Sequence, residues 1–187
     1  MKQGFVCKNT KELIDMNNKQ KLVHFFKQSS TIISAILLSV WVLSCDSNAI
    51  YKSYEDLKDT NWYVKNIPSF AFEVKDETIP YNIYILIRNA SQYPYNNLYV
   101  TRYIYGPDGK PLSSRLEELT LFDPKTGKPL GEGLGDIFDH KVLSSQNFKF
   151  PKKGKYTIKL KQYMRQDPLP FVMSVGISVE KPLPTKQ

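Results

Sequence analysis

Tyr81-Asn82-Ile83-Tyr84-Ile85-Leu86-Ile87-Arg88 is the stretch that decides the fold class. Successive side chains of an extended chain point to opposite faces, so Tyr81, Ile83, Ile85 and Ile87 share one side and Asn82, Tyr84, Leu86 and Arg88 the other. A period of two, with β-branched residues on the apolar side, predicts a half-buried strand. Apolar bulk on both sides places that strand in the middle of its sheet.

The same period recurs outward from this segment. Phe70, Phe72 and Val74 alternate with Ala71, Glu73 and Lys75 on the N-terminal side. Beyond the turn Asn89–Pro94, Leu98, Val100 and Ile104 oppose Tyr99, Thr101, Tyr103 and Tyr105. Gly106–Lys110 and Asp123–Lys128 carry turn chemistry, and the turns on both sides favour a strand over a helix for Leu112–Phe122. Leu130–Asp136 is glycine-rich and is read as an irregular loop running past Ile137 and Phe138. Phe148 and Phe150 form a short strand, Tyr156, Ile158 and Leu160 another, and Phe171, Met173, Val175, Ile177 and Val179 the last. About seven short strands with regular turns and no long helical pattern predict an all-β antiparallel β-sandwich. Periodicity leaves jelly-roll and immunoglobulin-like topologies both open.

The first 45 of the 187 residues have a different character. Six lysines against Glu12 and Asp15 precede an apolar run from Thr31 to Leu43. That run has 13 residues, whereas a bilayer-spanning helix needs about 20, so a cleaved secretory signal is expected over 1–44. Met16 is an alternative start. Val42-Leu43-Ser44-Cys45 resembles the lipobox of bacterial lipoproteins. There the cysteine takes a covalent diacylglycerol and the new α-amine an N-acyl lipid, and several acyl chains together anchor firmly where one binds marginally. With Cys7 in the signal, Cys45 is the one cysteine left and an internal disulfide is impossible. Residues 45–66 are expected to be the lipidated cysteine and a polar tether, and 67–187 the sandwich.

After Cys45 the chain has 20 basic and 16 acidic residues, so most of its basic appearance belongs to the signal. The remainder gives little support to a nucleic-acid partner. No catalytic residues and no metal site emerge from the sequence. His140, the sole histidine after Cys45, has Asp136 and Asp139 nearby, but all lie next to a glycine-rich loop where solvated turn residues are the ordinary case. The pairs Asp76-Glu77 and Glu117-Glu118 point to opposite strand faces. Gly131, Gly133 and Gly135 do not open a helix, as a phosphate loop must. All 12 tyrosines follow Cys45. Tyr93, Tyr95, Tyr99, Tyr103 and Tyr105 gather around one turn and its strand, a candidate surface for a protein partner or a glycan, with strand packing as the competing explanation. Lysines 149, 152, 153, 155, 159 and 161 are a solvated face or a contact for anionic headgroups.

Several motifs together resemble one family. Cys45-Asp46-Ser47-Asn48, Tyr51-x-x-Tyr54, Trp62, Pro80-Tyr81-Asn82-Ile83-Tyr84, Ile87-Arg88-Asn89, Tyr93-Pro94-Tyr95-x-Asn97-Leu98, Pro107-Asp108-Gly109, Gly131-x-Gly133-x-Gly135-Asp136-Ile137, Met164-Arg165 and Val175-Gly176-Ile177 look like the gliding-motility lipoprotein family GldH of Bacteroidetes. The resemblance implies a membrane-anchored lipoprotein required for surface gliding, associated with machinery that also supports type IX secretion, with no catalytic residues to carry over. The expected function is therefore a non-enzymatic accessory component of the envelope, with other envelope motility or secretion proteins as partners and no cofactor. A carbohydrate-binding sandwich using the tyrosines is the alternative. Asp46-Ser47-Asn48-Ala49-Ile50 carries one acid, unlike the acidic run that follows the cysteine in surface-exposed lipoproteins of that phylum, so a periplasm-facing anchor is expected.

Overall fold

A computed structural model describes residues 48–183; Cys45 and the signal segment lie outside the described residues. Eleven strands form: β1 Ala49–Asp56, β2 Asn61–Trp62, β3 Ser69–Val74, β4 Tyr81–Ala90, β5 Asn97–Tyr105, β6 Pro111–Thr120, β7 Glu132–Leu134, β8 Ile137–Phe148, β9 Gly154–Gln162, β10 Leu169–Pro170 and β11 Val172–Glu180. Two antiparallel sheets, ordered β1-β11-β4-β8-β7 and β3-β9-β5-β6, pack face to face, with β10-β2 as a short flanking pair. The pairings β1·β11, β3·β9, β4·β8 and β5·β6 nest inside one another like a single long hairpin, and β11·β4 and β5·β9 join its turns. A two-stranded ribbon rolled up in this way is a jelly roll, which decides between the two sandwich topologies.

The core is the inner layer of both sheets. Ile83, Ile85 and Ile87 of β4 meet Val175, Ile177 and Val179 of β11 along one sheet, and Leu98, Val100 and Ile104 meet Ile158 and Leu160 along the other, all fully buried. Each such side chain contributes about 1.5–3 kcal/mol through the water it loses. Phe72, Tyr81, Phe148, Phe150 and Tyr156 fill one end with ring centroids 4.6–6.3 Å apart.

Four expectations are corrected. The tether assigned to 45–66 contains strands β1 and β2, so residues 49–62 belong to the sandwich that was expected to begin at 67. β1 is an edge strand whose Ser53 and Glu55 lie in register with core residues Ile177 and Val175, and apolar alternation is therefore missing from its sequence. The irregular loop assigned to 130–138 is the hairpin β7–β8, in which Gly133 pairs with Phe138 and lacks room for a Cβ against that ring. Phe148 is not a separate short strand but the end of β8, whose pairing with β4 shifts register twice near Ile83 and blurs the period. The last strand starts at Val172; Phe171 is outside it, with φ at 62° and 38% exposed.

The register also defines two ends. Asn48, Lys181 and the loops 75–80, 106–110 and 149–153 lie at one, the near end; the Lys181 N–H donates to the Asn48 carbonyl at 2.8 Å. Loops 57–68, 91–96, 121–136 and 163–171 lie at the other, the far end.

Candidate functional site

The predicted tyrosine surface divides into three environments. Tyr93 belongs to the core: it is 6% exposed, stacks on Phe122 at 6.4 Å and donates its hydroxyl to the Asn97 carbonyl at 2.9 Å. Burial raises its pKa well above the ordinary phenol value. This corrects the reading of Tyr93 as a surface residue. Tyr95 stands edge-on to it, 36% exposed, with its hydroxyl donating to Gln166 Oε1 at 2.8 Å. Tyr99, Tyr103 and Tyr105 occupy alternate positions on the outer face of β5, half-buried beside β9. There Lys159 sits 5.3 Å over the Tyr105 ring, a cation–π contact.

A cleft of about 440 Å³ opens at the far end beside this face, lined by Pro94, Tyr95, Asn96, Asn97, Glu118, Thr120 and Pro124. The Asn97 side-chain amide donates to Glu118 Oε1 at 2.6 Å. A hydrogen bond with Glu118 also raises the pKa of Tyr99. One carboxylate is thus held by two neighbours, leaving polar groups beside an aromatic ring, a chemistry suited to hydroxyl-rich or amide ligands.

The far end carries a second feature. Of the thirteen large hydrophobic residues exposed among the described residues, eight lie there: Tyr63, Ile67, Tyr95, Leu130, Leu134, Ile137, Tyr163 and Phe171. Leu134, at the β7–β8 turn, is 93% exposed. Large apolar side chains, four aliphatic and four aromatic, are thus exposed more often at this end than elsewhere among the described residues. Sequence reading missed this, because its period ended before the loops.

The remaining candidates do not converge. His140 faces the interior beside Phe122, with ring centroids 5.9 Å apart; burial lowers its pKa below 6.5, against the opposing influence of Asp139. Asp139 faces outward and accepts from Arg88 Nε at 2.8 Å and Nη2 at 3.0 Å, while Asp136 accepts from the Ser91 hydroxyl at 3.3 Å. No group of three His, Cys, Asp or Glu side chains among the described residues could hold a metal.

Inside the sandwich lies a polar group that the sequence reading passed over. Arg102 has the buried parity of β5, between Val100 and Ile104, and is 1% exposed. Its Nε donates to Glu117 Oε1 at 2.9 Å and its Nη2 to Ser145 Oγ at 3.0 Å, and Ser144 Oγ donates to the same Glu117 oxygen at 2.7 Å. The pair ties β5 and β6 to β8 across the two sheets. The outer face of the other sheet is also internally paired, through Arg88–Asp139 and Lys141–Glu180, with the latter ion pair at 2.6 Å.

These features define the class: a jelly-roll β-sandwich with a polar, aromatic-edged cleft and exposed apolar loops at one end. Residues 49–179 match the family model described as GldH lipoprotein. The chain belongs to the GldH lipoprotein family. It is 33% identical over 157 residues to a gliding motility lipoprotein GldH homolog of Christiangramia forsetii, covering 80% of this chain and 92% of that protein. To the gliding motility lipoprotein GldH of Flavobacterium johnsoniae it is 28% identical over 153 residues, covering 78% and 93%. Among solved structures, the infectious bursal disease virus VP2 subviral particle is similar at 14% identity and a TM-score of 0.30, covering 69% of this chain and 29% of that one. The strand order, not that likeness, carries the fold assignment. Membership of a lipoprotein family brings association with an envelope membrane; no helix among the described residues is long and apolar enough to cross one.

Proposed function

We propose that the protein is a non-enzymatic accessory component of the gliding-motility machinery and of the type IX secretion associated with it. It is anchored by covalent lipid on Cys45, faces the periplasm, and docks another envelope protein with its far end. The motility assignment comes from the relatives' names. The observation that carries the docking surface is the concentration of exposed apolar side chains on the far-end loops, above all Leu134 and Leu130, at 93% and 59% exposure. The exposed tyrosines of the same end, Tyr63, Tyr95 and Tyr163, are of the residue type in which interface hot spots are enriched.

Photo-crosslinking in intact envelopes tests this. A crosslinker replacing Leu134 or Tyr163 is expected to give discrete protein adducts, while one at Lys52, on the outer face of edge strand β1, is not. Adducts at all three sites alike, or at none, refute the far end as the docking surface. Mass spectrometry of the native chain tests the anchor: an unmodified Cys45 thiol removes it.

A second reading is supported by the cleft. Tyr95 with Asn97 and Glu118 suits a glycan, and direct binding of envelope polysaccharide abolished by Tyr95→Ala, with crosslinked protein adducts unaffected, would favour it.

A further inference from the structure

We infer that the near end of the sandwich rests on acidic phospholipid headgroups, so that the far end is held out from the membrane as the free surface. This rests on the lipid-anchor reading of Cys45. Only Asp46 and Ser47 separate Cys45 from Asn48, which precedes β1 at the near end. Three Cα steps reach roughly 10 Å at full extension, well short of the roughly 30 Å from near end to far end along the nine residues of β11. A body on so short a leash cannot turn its far end to the bilayer.

The near end has the chemistry for that contact. Its loops and the chain end expose Lys75, Lys110, Lys149, Lys152, Lys153 and Lys181 against Asp76, Glu77 and Asp108, a surplus of three positive charges. Two of the carboxylates are turned into their own loops: Asp76 accepts from the Thr78 N–H at 2.9 Å and hydroxyl at 2.6 Å, and Asp108 from the Lys110 N–H at 3.2 Å. The pairs Lys152–Asp108 at 3.8 Å and Lys153–Glu77 at 3.6 Å are long, and their lysines are 55% and 63% exposed, so a headgroup phosphate can reach both ammonium groups. The far-end loops hold five basic and five acidic residues and are neutral. Charge therefore separates along the long axis of the sandwich, basic where the anchored terminus emerges and apolar at the opposite end. Each lysine brought to an anionic surface changes the population of the docked orientation about fivefold.

The lipidated mature protein provides the test, because lipid blocks Cys45 and an introduced cysteine is then the one free thiol. A fluorophore is attached at Gln146→Cys, on the near end, or at Lys65→Cys, on the far end. The protein is reconstituted in vesicles of equal phosphatidylglycerol and phosphatidylcholine, or of phosphatidylcholine alone, doped with a headgroup-borne quencher. Near-end quenching is expected to exceed far-end quenching on the acidic vesicles. It should weaken in high salt, on neutral vesicles, and in the triple variant Lys149→Gln, Lys152→Gln, Lys153→Gln. Flotation with both vesicles but equal near-end quenching on both, or stronger quenching at the far end, overturns the inference alone. Failure to float with either overturns the anchor reading and this inference with it.

Discussion

Glu117→Ala is expected to destabilise the mature protein by about 3–5 kcal/mol, the usual cost of removing one partner from a buried ion pair. The structure gives the reason for so large an effect at a position on an edge strand. Glu117 accepts from Arg102 Nε at 2.9 Å and from Ser144 Oγ at 2.7 Å, and its side chain is 9% exposed. Hydrogen bonds to a charged group contribute about 1.5–3 kcal/mol each, and two bring the estimate to the same range. Arg102, 1% exposed and enclosed by Val100, Ile104 and the opposite sheet, keeps its charge but retains only the Ser145 hydroxyl as hydrogen-bond partner. Urea denaturation of residues 45–187 measures the loss, which for a domain stable by about 5–15 kcal/mol removes about a fifth of the margin or more. Thermal melting should fall by roughly 10 °C. The double variant Arg102→Met, Glu117→Leu removes both charges and is expected within about 1 kcal/mol of the parent, or above it. A single-variant loss under about 1 kcal/mol, or a double variant weaker than the single, refutes the account of a dehydrated, mutually dependent pair.

Three further outcomes follow from the same geometry. Because burial holds the folded pKa of His140 below 6.5, the unfolded chain binds more protons between the folded value and 6.5. Stability from this group is complete above about pH 6.5 and is lost as pH falls through the folded value; the melting temperature should drop less on acidification in His140→Gln than in the parent. In Gly131→Ala the new Cβ would stand 2.7 Å from His140 Nδ1 and 2.9 Å from the Asp139 carbonyl carbon, an overlap expected to cost about 1–3 kcal/mol by chemical denaturation. Tyr93→Ala should lose about 3–5 kcal/mol as a core aromatic, while Tyr95→Ala should stay within about 1 kcal/mol; equal losses would place both rings in the core.

The sheet interior was legible where a strand keeps one apolar face from end to end. β9 does so from Tyr156 to Leu160, and β4 from Tyr81 to Ile87, where Leu86 is the one buried side chain on the opposite face. β1 and β8 were hidden for physical reasons. β1 closes the sheet at an edge, so tertiary pairing with β11 rather than its own side chains makes it a strand. β8 has Ile137 and Leu143 exposed on its outer face and His140 and Ser144 buried on its inner one, the reverse of the pattern that periodicity detects. Arg102 was concealed by its identity: its parity is that of a core residue, and only the carboxylate and hydroxyls brought by β6 and β8 make burial of a guanidinium tolerable.

The surfaces were less legible because they are assembled by topology rather than by local sequence. Five tyrosines close in sequence separate into a core residue, a cleft edge and a sheet face, since a turn and a strand send them in different directions. The far-end apolar residues are scattered between positions 63 and 171 and share one end only because rolling the ribbon brings alternate loops there. The same rolling places the 75–80, 106–110 and 149–153 loops beside Asn48. In a jelly roll the loops of one end cannot be exchanged for those of the other without unpairing the nested hairpin. If lipid on Cys45 holds the near end, strand order alone puts the apolar loops at the opposite end, and substitutions confined to either set are expected to alter membrane contact and partner contact independently.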